Sequence, residues 1–215
     1  MSELELPEVE YHGRKTSRGG SERRRINILD ASLRVAVREG VRAVRHRAVA
    51  TEAKVPLSAT TYYFKDITDL IVDTFTLFYE RATVMVKRNL VDAIAQPLKQ
   101  DLKKAWREIL VDAMAVYLAA QVKERRDHVI AEQAFFAEAH HYPQLQPLAL
   151  KYQQAFCTKF AQLAAGIPVK NVELLASIIY AVQRQLAYEA MLQPKVVKAA
   201  WFEERLRPVI AALSL

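Results

Sequence analysis

The sequence predicts an all-α fold in two parts, an N-terminal three-helix helix-turn-helix domain followed by a larger α-helical domain. Three observations carry this. Only 5 Gly and 8 Pro interrupt 215 residues, too few turn residues for a chain of hairpins. Apolar residues recur three and four apart through most of the chain, the period of one helix face. Charge is uneven: residues 11–65 hold 13 Lys and Arg against four acids, a net +9, whereas residues 66–215 hold 18 basic and 16 acidic residues. A basic block of that kind is the footprint of a polyanionic partner, although charge alone leaves a solvated basic face equally open.

Taken in order, residues 1–10 carry four acids, and YHGRKTSRGG (11–20) is basic without apolar period, so residues 1–20 are expected as a flexible basic arm. Ser21 offers an N-cap, and Ile26, Leu29, Leu33, Ala36 and Val37 follow on one helix face up to Glu39-Gly40, where Gly40 suits a left-handed position after the helix. A second, short helix is expected over about His46–Ala53, and Pro56 opens a third over about Leu57–Phe64. In that third helix Thr60, Tyr63 and Phe64 share one side; Ser58, Ala59, Thr61, Tyr62 and Lys65 fall on the other.

Beyond the expected seam at residues 65–66, Asp66 and Thr68 offer caps for a long helix carrying Leu70, Ile71, Thr74, Phe75, Phe78, Ala82, Met85 and Val86. Pro97 breaks the chain. Further helices are expected over Asp101–Val122, Val129–Ala139, Leu145–Ala165 (closing at Gly166), Val169–Leu192 and, after Pro194, about Val196–Leu213. This divides the chain into an arm (1–20), a helix-turn-helix domain (21–65) and a helical domain (66–215).

At 52% hydrophobic and 26% charged, the chain can bury a core. No apolar run reaches the roughly 18 residues of a membrane span, the N-terminus lacks an apolar signal core, and the single cysteine, Cys157, cannot form an internal disulfide; a cytoplasmic protein with no membrane partner is expected.

The helix-turn-helix pattern carries the chemistry. A helix laid in the major groove needs small or hydrogen-bonding side chains at the groove floor, and Ser58, Ala59 and Thr61 suit that role. Tyr62, Tyr63 and Lys65 can reach phosphates, and Arg23, Arg24, Arg25, Arg45 and Arg47 at helix starts can neutralise backbone charge. The stretch Arg24–Ile71 resembles the DNA-binding domain of the TetR family of transcriptional regulators. The likeness rests on the first helix ending in Glu39-Gly40, the Val49-Ala50 pair, Ala53, Val55, the tyrosine pair before Phe64, Lys65 and Leu70. It implies that the larger domain binds a ligand and dimerises, and that a homodimer sits on a pseudo-palindromic double-stranded DNA operator. It further implies a repressor released by a small effector, apolar or amphipathic here, and a dimer interface built from the last two long helices, about 169–192 and 196–213. Carried over by position, Leu57, Ser58, Ala59, Thr61, Tyr62, Tyr63 and Lys65 become groove and phosphate contacts, with Arg45 and Arg47 on the backbone. Three positions depart from the pattern: Lys54 stands where a turn glycine is usual, Arg45 where a threonine cap is usual, and Ser58 where glycine is often found.

Other readings remain beside these. Tyr62 and Tyr63 could be core aromatics. Arg14, Lys15 and Arg18 either enter a minor groove or stay disordered. The lone Glu-x-x-His of Glu138 and His141 has no second copy for a di-iron bundle, and His128 and His140 add no zinc spacing. No phosphate loop or nucleophile elbow is present, so neither a catalytic site, a metal nor a cofactor is expected. In the larger domain Phe78, Trp106, Met114, Tyr117, Phe135, Phe136 and Phe160 are candidate effector-lining residues, with His140 to orient the ligand; each is also an ordinary core side chain. Two rival functions follow from the same sequence: a constitutive DNA-binding protein whose C-terminal domain only dimerises, and a protein-interaction module.

Overall fold

The computed structural model describes residues 10–14, 19–90, 102–164, 167–193, 195 and 197–213, with backbone alone for 86–90 and 102–105. Among these residues there is no strand. The helices run α1 (Gly19–Glu39), α2 (His46–Ala53), α3 (Leu57–Tyr63), α4 (Ile67–Leu90), α5 (Leu102–Glu124), α6 (Arg126–Glu138), α7 (Gln146–Leu163), α8 (Val172–Met191) and α9 (Ala199–Ala212). The expected break at Pro97, closure at Gly166 and separation at Pro194, with Lys15 and Arg18 of the arm, lie outside the described residues.

The all-α expectation holds, and most helix ends fall within a few residues of their predicted places. The start of α1 differs. It begins at Gly19, so Ser21 lies inside the first turn rather than capping it, and its hydroxyl lies 2.8 Å from that of Tyr63. Glycine is tolerated there because first-turn N–H groups have no intrahelical partner to lose. Gly40 follows α1 at φ 85°, ψ 159°, a positive-φ conformation that favours glycine but lies outside the left-handed helical region expected there.

The chain divides into two compact units, Met1–Ala82 with Ile130–Lys151, and Thr83–Val129 with Tyr152–Leu215. In the first, α1 packs on α2 and α2 on α3. Arg34 and Arg38 of α1 hold Glu52 of α2 at 2.7 and 3.0 Å, and the Asn27 side chain donates to the carbonyl of Ala53 at the end of α2. The Thr74 hydroxyl of α4 meets that of Ser32 of α1 at 2.8 Å. Every residue from Leu70 to Tyr79 is buried, so the front of α4 is a core helix rather than one with a single apolar stripe. Phe75 and Phe78 of α4 lie 5.5 and 5.9 Å from the ring of Phe135 on α6.

In the second unit α9 packs along α5, and α5 against α8. Trp106, Leu110, Met114, Leu118 and Val122 recur at four-residue spacing on α5 and are buried. Phe156 lies 5.1 Å from Tyr180, joining α7 to α8, and Asn171 caps α8 by accepting from the Leu174 amide at 2.8 Å.

The turn between α2 and α3 hinges on Lys54, which sits in the left-handed region at φ 55°, ψ 44°. That conformation costs a non-glycine residue about 1–2 kcal/mol, while glycine there would loosen the unfolded chain by about 0.4–1 kcal/mol. Lys54 is exposed, so no packing is lost on replacing it. Lys54→Gly should therefore raise unfolding stability by about 0.5–1 kcal/mol, read as a higher denaturant midpoint at unchanged slope. A lower midpoint would show that the turn carries no strain.

Candidate nucleic-acid interface

The interface is built in the first unit, around a seven-residue α3 too short to be stable by itself. Its inner side is anchored: Thr60, Tyr63 and Phe64 are 0%, 4% and 0% exposed, and Thr60 closes its hydroxyl onto the Leu57 carbonyl at 2.8 Å. That anchorage turns Leu57, Ser58, Thr61 and Tyr62 outward, with Ala59 half-buried and Lys65 exposed just past the helix end. The following residue, Asp66, accepts the Thr68 amide at 2.7 Å, which starts α4 and holds its own carboxyl below the usual range. The outward set offers short hydroxyls, a methyl and an ammonium on one helix face, the chemistry that reads base edges and binds phosphates.

Arg45 and Arg47 flank the exposed start of α2. Arg45 stands at the N-cap in an extended conformation and makes no side-chain cap, so the first amides of α2 stay open beside two guanidinium groups. Free amides at a helix start attract phosphate. Arg24 is exposed on α1, and with Ser21, Pro56, Ser58, Ala59 and Tyr62 it borders an open cleft between the start of α1 and α3.

Two residues expected as contacts are buried instead. Tyr63, expected on DNA, falls on the inner side of α3 with Thr60 and is buried, its hydroxyl against Ser21 at the wall of this cleft. Arg25 was expected on the backbone with Arg23 and Arg24. It is 6% exposed, with Glu22 at 2.7 Å and buried Asp73 at 3.6 Å, because it falls on the core side of α1.

The arm also departs from expectation, since residues 11–14 are tied down. The Tyr11 hydroxyl donates to Glu80 at 2.5 Å, and the amides of His12 and Gly13 donate to the two oxygens of Asp73 at 2.7 and 2.9 Å. The Arg14 amide donates to the carbonyl of Tyr63 at 2.8 Å. Burial pushes the Asp73 carboxyl up, against the pull of the two amides and Arg25. Sequence reasoning passed over Asp73. The available signal was an acid set between Val72 and Thr74 inside an apolar helix, where a charge needs built-in partners.

The candidate effector residues are spread over both units. Phe78, Phe135 and Phe136 belong to the first, where Phe135 and Phe136 lie 5.4 Å apart. Trp106, Met114, Tyr117 and Phe160 are buried in the second. His140, expected to orient a ligand, is exposed in the turn after α6 and is not a buried polar anchor. Among the described residues no group of three or more His, Cys, Asp or Glu is placed to hold a metal ion, and no helix is long and apolar enough to cross a membrane.

A helix-turn-helix at the head of an all-α chain is the architecture of a class of DNA-binding regulators. Among solved structures similar to the chain, the multidrug-binding protein EbrR, solved with proflavin, is 26% identical over 86% of this chain and 99% of its own, with a TM-score of 0.60. A TetR-family member from Streptomyces coelicolor A3 is 25% identical over 86% and 97%, with a TM-score of 0.65. A transcriptional regulator from Rhodococcus sp. Rha1 shares the fold at 19% identity over 87% and 94%, with a TM-score of 0.69. No protein-family model and no curated protein matches the chain. Its structural neighbours include TetR-family transcriptional regulators covering most of its length, and the chain has their fold.

Arg45 stands where a capping side chain would satisfy an α2 amide. Arg45→Thr should therefore raise stability by about 1 kcal/mol while weakening DNA binding. Paired thermal melts and binding titrations check this, and a variant that binds duplex DNA as tightly as the parent refutes the backbone role.

Proposed function

We propose that the chain is a dimeric, DNA-binding transcriptional regulator, a repressor released from its operator by a small apolar or amphipathic effector. One observation supports it above the others: α3 buries Thr60, Tyr63 and Phe64 and turns Ser58, Thr61, Tyr62 and Lys65 outward, with Arg24 across the cleft from α3 and Arg45 and Arg47 exposed at the start of α2. A core helix needs no such basic, hydroxylated outer face. The likeness at 25–26% identity to a TetR-family member and to EbrR supports the same reading.

The dimer reading is supported by α8. Leu174, Ser177, Ala181, Gln185, Tyr188 and Leu192 fall on one helix face and are exposed, with Leu174 at 44%, Tyr188 at 44% and Leu192 at 67%. Exposed apolar side chains in a row suit burial against a second copy. With α9, they make up the interface. Release follows if the effector binds more tightly to the spacing of the two heads that misfits the operator, since only such differential affinity shifts the equilibrium.

The aromatic character of the helical core favours an apolar ligand, and EbrR has been solved with the dyes proflavin, malachite green and ethidium. Malachite green should raise the melting temperature of the protein without DNA, as any ligand of the folded state does; a flat response removes dye-like effectors. Lys65→Ala should weaken binding to duplex DNA of every sequence and lower the salt slope by about one unit. Parent protein that shows no steep salt dependence on duplex DNA would falsify the regulator reading. Sedimentation at micromolar concentration should show a dimer, with Tyr188→Glu shifting it to monomer; a monomeric parent rules out the α8 interface.

A further inference from the structure

Residues 11–14 are held by four backbone or side-chain bonds, two of them to Asp73 and one each to Glu80 and Tyr63. The carboxylate of Asp73, 0% exposed on α4, takes the amides of His12 and Gly13. Tyr11 anchors the front of the segment through Glu80 and lies with its ring 4.2 Å from the Arg25 guanidinium. Gly13 is threaded through a space that admits no side chain. A Cβ there would stand 2.6 Å from Phe64 Cε1 and 2.9 Å from Asp73 Oδ2. The Arg14 amide then bonds the carbonyl of Tyr63, the last residue of α3.

This path delivers the Arg14 guanidinium over the ring of Tyr62, with its Cζ 4.2 Å from the centroid. Both side chains are exposed, on the outer side of the recognition helix, and no carboxylate among the described residues holds Arg14 in an ion pair. A guanidinium stacked on an aromatic face keeps its donor edge in the plane and loses less freedom on binding a phosphate. A buried carboxylate, a glycine that cannot be replaced and an anchored tyrosine are a costly way to tether a terminal segment with nothing to present.

We propose that residues 11–14 form a latched strap that presents Arg14, stacked on Tyr62, as a preorganised phosphate-binding element for the duplex DNA backbone, with Gly13 and Asp73 as positioning residues. The inference rests on the DNA-binding reading above and adds to it a contact outside the helix-turn-helix.

The test is the salt dependence of binding to a mixed-sequence duplex, since a phosphate contact acts on every sequence. Arg14→Ala should weaken binding about tenfold at fixed salt and lower the salt slope by about one unit. Its melting temperature should be unchanged, because the side chain is exposed. Gly13→Ala should lose the same contact with the arginine still present, so adding Arg14→Ala to it should cost little more. Where Gly13→Ala does not fold, Tyr62→Ala combined with Arg14→Ala asks the same question of the stacked pair. An unchanged slope in Arg14→Ala, alongside a lowered slope in Lys65→Ala, overturns the strap and leaves the regulator reading standing. Fully additive losses in either double variant overturn preorganisation. No salt-dependent binding by the parent overturns both.

Discussion

The helix-turn-helix of this protein depends on the burial of Thr60, Tyr63 and Phe64 beneath α3. A seven-residue helix has no stability of its own, because the cost of nucleation is recovered only over many residues. Burying a phenylalanine contributes about 1.5–3 kcal/mol, and Phe64 just past the helix end supplies such an anchor. The same burial fixes rotation about the helix axis. Once Thr60 and Tyr63 point inward, the 100° step per residue leaves Ser58, Thr61 and Tyr62 outward, so a packing constraint selects the side chains available to a partner.

Around that anchor the chain accepts local costs that an idealised domain would avoid. Lys54 holds a left-handed conformation without being glycine, α2 starts without a cap, and Asp73 is a carboxylate in a core helix. Each has a compensation or a use in view. Lys54 adds positive charge in the turn before α3 and Arg45 at the start of α2, and Asp73 collects two amides and the Arg25 guanidinium. Local rules are broken mainly where the proposed regulator would meet its operator, as expected when function competes with stability.

The second unit follows a different logic. Its core of Trp106, Met114, Phe156, Phe160, Phe202 and Leu206 obeys helical spacing closely. On α8 the pattern is richer than a globular monomer requires, with apolar residues on two faces. Leu175, Ile179 and Leu186 are buried, while Leu174, Tyr188 and Leu192 remain on the surface. A helix apolar on more than one side asks for more than one neighbour.

By itself the sequence determined the helical class, the order of the elements, the α2–turn–α3 motif and the inward and outward sides of α3. These depend on period, caps and breakers within a few residues of one another: Gly40, Pro56 and Asp66 act where they stand. Lys54 stood out only against the family resemblance, as a lysine where a turn glycine is usual. Only the tertiary structure decided that Arg25 is interior, that His140 is exposed, and that the arm is pinned at residues 11–14. The bonds responsible join residues about 60 positions apart, as from Gly13 to Asp73. No local pattern encodes a pairing at that separation, because whether a polar side chain meets solvent or a partner depends on which distant segment the fold brings beside it.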